Sequence, residues 1–243
     1  MSASVLSPAP VRWDPPAAIR GTVVVLHGRG EYGGLYERFG RRLAADGYAV
    51  AGPDLPEGED AALIGAVTAG PPGTPFVLIG SDTGAIRAIE LASILDRRPD
   101  ALILAGLPLA SGSRAGSSTA GAVLAAADWE GEVAARTGCP VHTARLGDDA
   151  RVSRGALAEP VGPVPGELPH LPTLVVHGAA DPVADLAAVR TLADTSPQAS
   201  LAVVAAGRHD ILNDAMHRSV AAHIVLFLEA VRAGRALVTV DAG

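Results

Sequence analysis

Residues 80–84, Gly-Ser-Asp-Thr-Gly, have the clearest chemical pattern in the sequence. They follow the apolar run 75–79 and precede a stretch with helical character. Their spacing is that of the G-x-S-x-G nucleophile elbow, with aspartate at the centre. The flanking glycines let a strand turn sharply into a helix, so that the central side chain stands at the edge of the sheet. We therefore predict that Asp82 is a nucleophile.

Two later strand ends provide the partners that such a nucleophile needs. The apolar run 173–176 leads into Asp181, and the run 201–204 leads into His209. Their order after residue 82 is nucleophile, acid, histidine. An acid in this position accepts the Nδ1 proton of the histidine, fixes its tautomer and stabilises the imidazolium. The sequence thus predicts a triad of Asp82, Asp181 and His209.

A glycine-rich turn follows the first clear strand, residues 22–26, and has two interpretations. Its glycines at 28, 30 and 33 match G-x-G-x-x-G, and Asp54 follows about 20 residues later, as in a dinucleotide site. Alternatively, the turn supplies a backbone N–H to an oxyanion hole. The second interpretation is favoured because a dinucleotide fold would not need the acid and the histidine of the C-terminal third.

The elements that must position these residues are short apolar runs alternating with helical patterns. Most of the apolar runs are continuous, which is typical of strands buried on both faces of a parallel sheet. The fold class is therefore α/β, a doubly wound and mostly parallel sheet whose ligands bind at the carboxyl ends of the strands. The predicted strands are 22–26, 48–51, 76–79, 101–105, 173–176 and 201–204, and the predicted helices are 35–45, 59–68, 83–95, 184–193 and 214–231.

Residues 107–171 interrupt this alternation and contain no clear strand pattern. They contain a Gly/Ser-rich stretch, a helical pattern at 122–135 and a Pro-rich stretch. Loops this long in compact domains usually form a lid or a binding element, and a disordered surface excursion is the alternative. We predict a single domain over residues 1–243, with a lid or cap insertion at 107–171.

The composition excludes several classes of function. With 243 residues and 49% hydrophobic content, the chain can bury the core of one domain. A net charge of -7 and the lack of any long basic run argue against nucleic acid as a partner. No apolar segment approaches the roughly 20 residues of a membrane span, and no export signal is evident. We predict a cytoplasmic protein that acts on a small-molecule substrate, and the oligomeric state is left open.

The sequence also gives no support for a metal or a cofactor. Cys139 is the one cysteine, so no intrachain disulfide forms. Cys139 and His142 have a C-x-x-H spacing, but a zinc site of this kind needs a second pair of ligands. Asp210, directly after His209, is interpreted as a cap of the last helix, and the Arg29 side chain as solvated.

The sequence resembles the α/β-hydrolase superfamily over roughly residues 20–230, the insertion excepted. Its first third resembles the monoglyceride lipase and lysophospholipase branch, through His-Gly-Arg-Gly-Glu at 27–31, Gly-Tyr-Ala-Val at 47–50 and Gly-Pro-Asp at 52–54. The resemblance implies an oxyanion hole formed by the backbone N–H groups of Arg29 and Thr83. The family pattern has serine where this chain has Asp82.

Aspartate changes the expected chemistry. A carboxylate with an ordinary pKa of about 4 is ionised at neutral pH, so the histidine is free to activate the water that hydrolyses a covalent ester. Carboxylate attack on an acyl ester would give a high-energy anhydride, whereas attack on an sp3 carbon gives an ordinary alkyl ester. The epoxide hydrolases and haloalkane dehalogenases of the superfamily have aspartate here. We predict an epoxide-hydrolase-like reaction through an Asp82 ester.

The chain departs from both of these relatives. Thr83 stands where dehalogenases have a halide-binding tryptophan, which disfavours halides. Epoxide hydrolases protonate the opened ring with cap tyrosines, and the insertion has none. Tyr32 and Tyr36, beside the oxyanion turn, are the available substitutes. With His27, and Trp129 of the insertion, they complete the predicted substrate contacts.

Four other interpretations remain open at this point. The chain could retain esterase or lysophospholipase-like activity despite the substitution. Asp82 could act with His209 as an acid/base pair in lyase or cyclisation chemistry. Ser81 could attack in its place. Finally, Asp82 could simply cap the helix that follows, which would leave a degenerate hydrolase fold that only binds a ligand.

Overall fold

The central feature of the computed structural model is one twisted sheet. The structure describes residues 10–54, 71–110 and 128–238. Within them seven strands are ordered β1-β3-β2-β4-β5-β6-β7, with β1 antiparallel to β3 and all other pairs parallel. The predicted doubly wound, mostly parallel sheet is confirmed. The strands are β1 (Val11–Trp13), β2 (Gly21–Leu26), β3 (Tyr48–Gly52), β4 (Phe76–Ser81), β5 (Ala101–Ala105), β6 (Thr173–Gly178) and β7 (Ala199–Val204).

The burial of the strands explains which of them the sequence predicts. Every residue of β2 to β6 is buried, and these strands coincide with continuous apolar runs. At one edge, β7 is only partly buried. At the other edge β1 was not predicted, because two of its three residues are exposed and it has no apolar run.

Helices cover both faces of the sheet. They are α1 (Glu37–Ala45), α2 (Thr83–Ile94), α3 (Trp129–Arg136), α4 (Pro140–Asp148), α5 (Leu186–Ala193) and α6 (His217–Ala233), with short 3-10 helices at Gly33–Tyr36 and Ala156–Ala158. Alternate residues of β2 face opposite sides, as the period of a strand requires. Val23 and Val25 pack in one core with residues of α1 and α6, and Val24 packs in a second core with residues of α2 and α5.

The described part of the insertion is helical. Helix α3 begins after Asp128, whose side chain accepts a hydrogen bond from Gly131 N, and α4 begins with Pro140. The sequence pattern placed one helix at 122–135 and missed α4. The predicted helix 59–68 lies outside the described residues. No helix in the described part of the chain is both long and apolar enough to cross a bilayer.

Candidate active site

The turn between β4 and α2 has the geometry of a nucleophile elbow. Asp82 has φ 52° and ψ -123°, a conformation that is costly for a non-glycine residue. A Cβ at Gly80 would lie 2.1 Å from the carbonyl oxygen of Gly84, and one at Gly84 would lie 2.3 Å from that of Leu26. Only glycine fits these two positions, because backbone contacts backbone there. The elbow predicted from residues 80–84 is present.

The Asp82 carboxylate points away from its own helix. It accepts no capping hydrogen bond from α2, and its Oδ1 lies 3.1 Å from Nε2 of His209. Asp82 stands at the N-cap position of α2, but its side chain does not cap the helix, so the interpretation that its carboxylate serves only as a cap is wrong. Ser81 is buried and its side chain bonds to that of Tyr36, so it does not take the nucleophile position.

The structure brings the three predicted triad residues together. His209 Nδ1 lies 2.9 Å from Oδ2 of Asp181. Oδ1 of Asp181 accepts hydrogen bonds from the backbone N–H groups of Val183 at 2.8 Å and Ala184 at 3.2 Å, which fix the carboxylate. Asp82 and His209 are each only 1% exposed. This is the relay geometry of a nucleophile, a histidine and an orienting acid.

Arg29 contacts Asp82 with both its backbone and its side chain. Its backbone N–H donates to Oδ2 of Asp82 at 2.9 Å, which is the oxyanion-hole position that the resemblance implied. Its guanidinium also donates from Nε to Oδ2 and from Nη2 to Oδ1, each at 2.8 Å. The side chain is only 8% exposed, so the interpretation of Arg29 as a solvated residue is wrong.

The same guanidinium is tied to the insertion. Nη1 of Arg29 donates to the carbonyl oxygens of Leu157 at 2.8 Å and Glu159 at 2.7 Å. A carboxylate has about four lone-pair sites. Three donors from Arg29 and the imidazole of His209 occupy all four on Asp82. An electrophile that approaches Asp82 must therefore displace one of these donors.

Electrostatics fix the protonation states of the site. Burial alone would raise the pKa of Asp82, but hydrogen bonds and charge from His209 and Arg29 hold it well below its usual range. Burial alone would lower the pKa of His209, but the carboxylates of Asp181 and Asp82 raise it to about 10. At neutral pH the site thus contains an imidazolium between two carboxylates, with the Arg29 guanidinium as the second cation.

This arrangement predicts a pH dependence of stability. Because the pKa of His209 is about 10 in the folded chain and about 6.5 when unfolded, its stabilising effect is full below pH 6.5 and is lost as the pH rises toward 10. We expect the free energy of unfolding of the wild type to fall between pH 7 and 10, relative to His209→Gln, by at most about 1.4 kcal/mol per pH unit. Urea denaturation of both proteins across this range measures it. Parallel pH curves would contradict the ion pair.

Two of the predicted substrate contacts, Tyr32 and Tyr36, have their hydroxyl groups bonded within the protein. Tyr32 Oη donates to Asp149, and Tyr36 Oη donates to Glu31. These carboxylates engage both hydroxyls, so neither tyrosine is available in this conformation as the replacement for a cap tyrosine.

The other three predicted residues surround the same region. His27 is half-buried, and its Nδ1 lies 3.0 Å from its neighbour's carbonyl oxygen, Gly28 O. Trp129 is half-buried against the core, with the Arg154 guanidinium 5.0 Å from its ring centre. Thr83, the second predicted oxyanion donor, is the first residue of α2, where backbone N–H groups have no partner within the helix.

A buried ionic network contacts the turn that contains Arg29, and the sequence analysis did not predict it. Nη2 of Arg136 donates to Arg29 O and to Glu132 Oε1, each at 2.8 Å. Its Nη1 lies 3.6 Å from Oδ1 of Asp210. Asp210 is therefore part of this network and not a cap of α6, whose N-cap is Met216.

The network also contains a group of potential metal ligands. Ligand atoms of Glu31, His142 and Asp210 lie within 4.8 Å of one another, and all three residues are buried. Carboxylate and imidazole ligands suit several divalent metals. The Arg136 guanidinium, however, already places a positive charge beside Asp210, and we assign no metal to this cluster.

Asp54 has a local role that differs from the dinucleotide interpretation. Its Oδ1 accepts a hydrogen bond from Gly33 N at 2.7 Å, which closes the turn onto the end of β3. A Cβ at Gly33 would lie 2.1 Å from Gly52 O, so this glycine allows two backbones to pack together. Asp54 and the glycine pattern thus shape the oxyanion turn.

Comparisons with known proteins agree with this architecture. Residues 17–56 match the family model described as serine aminopeptidase, S33. No curated protein sequence matches the chain. The monoacylglycerol lipase of Paleococcus ferrophilus superposes with a TM-score of 0.69 at 19% identity, covering 91% of this chain and 99% of that one.

Two further structures are similar in extent. A soluble variant of monoglyceride lipase from Saccharomyces cerevisiae has a TM-score of 0.70 at 15% identity, covering 91% of each chain. Proline iminopeptidase of Mycobacterium smegmatis has a TM-score of 0.65 at 16% identity, covering 93% of this chain and 95% of that one. At these identities the likeness establishes the fold, and the reaction must be argued from the site.

Proposed function

We propose that this chain, which has the α/β-hydrolase fold, is a hydrolase of small alkyl electrophiles, epoxides before halides, in which Asp82 forms a covalent ester. The geometry of its carboxylate is the observation that supports this most. Oδ2 lies on the Arg29 backbone N–H and Oδ1 faces His209 Nε2, on a backbone held at φ 52°. Strain of this kind is retained where it has a function.

The first step is alkylation. Oδ1 of Asp82 attacks an epoxide carbon, and the ring C–O bond breaks. The alkoxide takes the Nε2 proton of the His209 imidazolium, since a pKa of about 10 keeps that proton in place at neutral pH. The products are a hydroxyalkyl ester of Asp82 and a neutral imidazole. His209 thus protonates the opened ring, a role for which the sequence analysis had only Tyr32 and Tyr36 as candidates.

The second step is hydrolysis of the ester. Neutral His209 removes a proton from water, and the water oxygen attacks Cγ of Asp82. The negative charge that develops on Oδ2 is stabilised by the backbone N–H of Arg29, which already bonds to that atom. The intermediate collapses, and the departing diol oxygen takes the proton of the newly added hydroxyl. The carboxylate and the imidazolium are thereby restored.

Charge explains why one histidine serves both steps. In the resting site the Asp82 carboxylate helps to raise the pKa of His209. Esterification removes that negative charge and so lowers the pKa of His209, and the imidazole stays neutral after it has given up its proton. Because only a neutral imidazole can remove a proton from water, formation of the ester leaves His209 in the form that hydrolysis needs.

The Arg29 side chain must move away from Asp82 before either step, whereas its backbone N–H stays in place. Its guanidinium covers both carboxylate oxygens and is held by the carbonyl groups of Leu157 and Glu159. In this conformation the Arg29 side chain blocks access to Asp82, and we call this set of contacts the Arg29 latch. The same contact favours a second candidate function, a protein that binds a ligand without turnover, because a carboxylate with four donors is a poor nucleophile.

Replacing Arg29 by methionine distinguishes these two functions. The variant keeps the backbone N–H and loses the guanidinium, so Asp82 loses charge-assisted hydrogen bonds worth about 1.5–3 kcal/mol each. With a panel of aryl and alkyl epoxides, we expect Asp82 to be alkylated about 10-fold faster than in the wild type. Mass spectrometry at short times measures the rate, and the exposed Arg190→Met is the matched control. No reaction in either protein would support binding alone, and slower alkylation in Arg29→Met would exclude the latch.

A further inference from the structure

A cleft of about 580 Å³ lies between α1 and the N-terminal turn of α6. Its volume is within the range of small-molecule sites, about 300–1,000 Å³. Phe39, Leu212 and Ala221 lie at its floor, each only 1–2% exposed, so little of their surface is open to a ligand. The proposed chemistry of Asp82 makes no use of it.

The rim of the cleft is strongly basic in a chain with a net charge of -7. Four arginines line it: Arg38, Arg41, Arg42 and Arg218. Arginine is the side chain best suited to bind phosphate and carboxylate groups, because its planar fork donates two parallel hydrogen bonds.

Two of these arginines already have a carboxylate partner. Arg41 pairs with Glu37 at 2.9 Å and Arg42 with Asp46 at 3.3 Å, in exposed i,i+4 pairs. Such surface pairs contribute little and exchange readily.

The other two have none. Arg38 is half-buried and is held in place by the carbonyl oxygen of Asn213 and by Cys139 Sγ. Across the described ranges of the chain, neither Arg38 nor Arg218 forms an ion pair. They come from different elements, α1 and α6, and line the same cleft, which leaves two positive charges there without a carboxylate.

The first turn of α6 adds to the positive charge of the cleft. Its first turn contains His217 and Arg218 and no acidic residue. The Arg218 cation at this helix N-terminus opposes the helix dipole, so a bound anion would relieve this repulsion. Burial lowers the pKa of His217, and the charges of Arg38 and Arg218 lower it further, so its imidazole enters the cleft as a neutral hydrogen-bonding group.

We propose that this cleft binds a small organic phosphate. The dianionic group would bridge Arg38 and Arg218, and the apolar part of the ligand would lie against the surrounding arginine side chains. A phosphate matches two uncompensated guanidiniums in charge, and arginine side chains also stack on aromatic groups, which favours an aryl ester over the free ion.

Titration calorimetry with phenyl phosphate and with inorganic phosphate, at low salt, tests the site. We expect phenyl phosphate to bind at least 10-fold more tightly than the inorganic ion. Arg218→Glu should weaken it at least 10-fold, and 0.3 M NaCl should weaken it as well. The control Arg190→Glu, on α5 at the other face of the sheet, should change the affinity less than twofold.

Three results would overturn the proposal. They are no binding of phenyl phosphate at 5 mM, equal weakening by Arg190→Glu, which would indicate only diffuse attraction, and unchanged affinity in Arg218→Glu. Residues 190 and 218 are exposed, so both variants should fold. Circular dichroism confirms this before titration. None of these outcomes depends on the chemistry proposed for Asp82.

Discussion

His209→Gln should stop after one chemical event, with the substrate attached to Asp82. In the proposed mechanism the histidine is the base that activates water, and general-base catalysis is worth about 10²–10⁴-fold. Glutamine has no basic nitrogen, so the hydrolysis of the ester should slow by about 1,000-fold and the adduct should accumulate. Intact-mass spectrometry followed by peptide mapping would find the mass of the substrate on the peptide that contains Asp82.

The choice of electrophile sharpens this test. Epoxide opening also uses the proton of His209, so the variant should be alkylated more slowly by epoxides than the wild type. A primary alkyl iodide needs no proton for its leaving group, and it should alkylate both proteins at similar rates. His223→Gln, at an exposed histidine of α6, is the matched control and should not accumulate an adduct. Full turnover without an adduct in His209→Gln would exclude the assigned base.

Asp82→Asn should lose turnover of every epoxide by at least about 1,000-fold, because a neutral amide cannot form the ester. The change also leaves the Arg29 guanidinium buried without its carboxylate. Removing one partner of a buried ion pair costs about 3–5 kcal/mol. We therefore expect a lower melting temperature as well as lost activity.

Steady-state kinetics at a temperature where the variant is folded separates these two effects. The exposed Asp194→Asn is the control for aspartate substitution. Peptide mass must show that residue 82 of the variant is still an amide, since deamidation would restore the carboxylate. Wild-type kcat in Asp82→Asn, with that amide intact, would contradict the nucleophile role.

The triad could be predicted because its members share one topological rule. Asp82, Asp181 and His209 each follow a strand of a parallel sheet, and the carboxyl ends of such strands lie at one edge. Continuous apolar runs identified β2 to β6, so the edge of the sheet at which the three residues meet could be predicted without any interatomic distance. The roles that we propose for them follow from their order in the chain.

The Arg29 latch could not be predicted in the same way. It depends on contacts between residues 53 and 128 positions apart, with Asp82 and with Leu157. A single arginine in a turn gives no periodic signal, and an average arginine is solvated. The informative clue was local: a basic residue in the oxyanion turn and an acidic residue at the elbow meet at the same edge.

Elements without an apolar run were also missed. Strand β1 is exposed on two of its three residues and is defined by pairing with β3, which the sequence does not encode locally. Helix α4 begins with Pro140 and buries only His142 and Leu146, so its helical pattern is weak. The ionic network around Arg136 is non-local as well, since it joins α3, the oxyanion turn and the segment after His209.

Turnover in water enriched in ¹⁸O tests the central claim most directly. If an ester of Asp82 forms, the first molecule of diol takes its new oxygen from the carboxylate, and the water oxygen enters Asp82. We therefore predict unlabelled diol in a single turnover, and a peptide containing Asp82 that is 2 Da heavier after it. Label in the first diol, with the Asp82 peptide unchanged in mass, would contradict the covalent account.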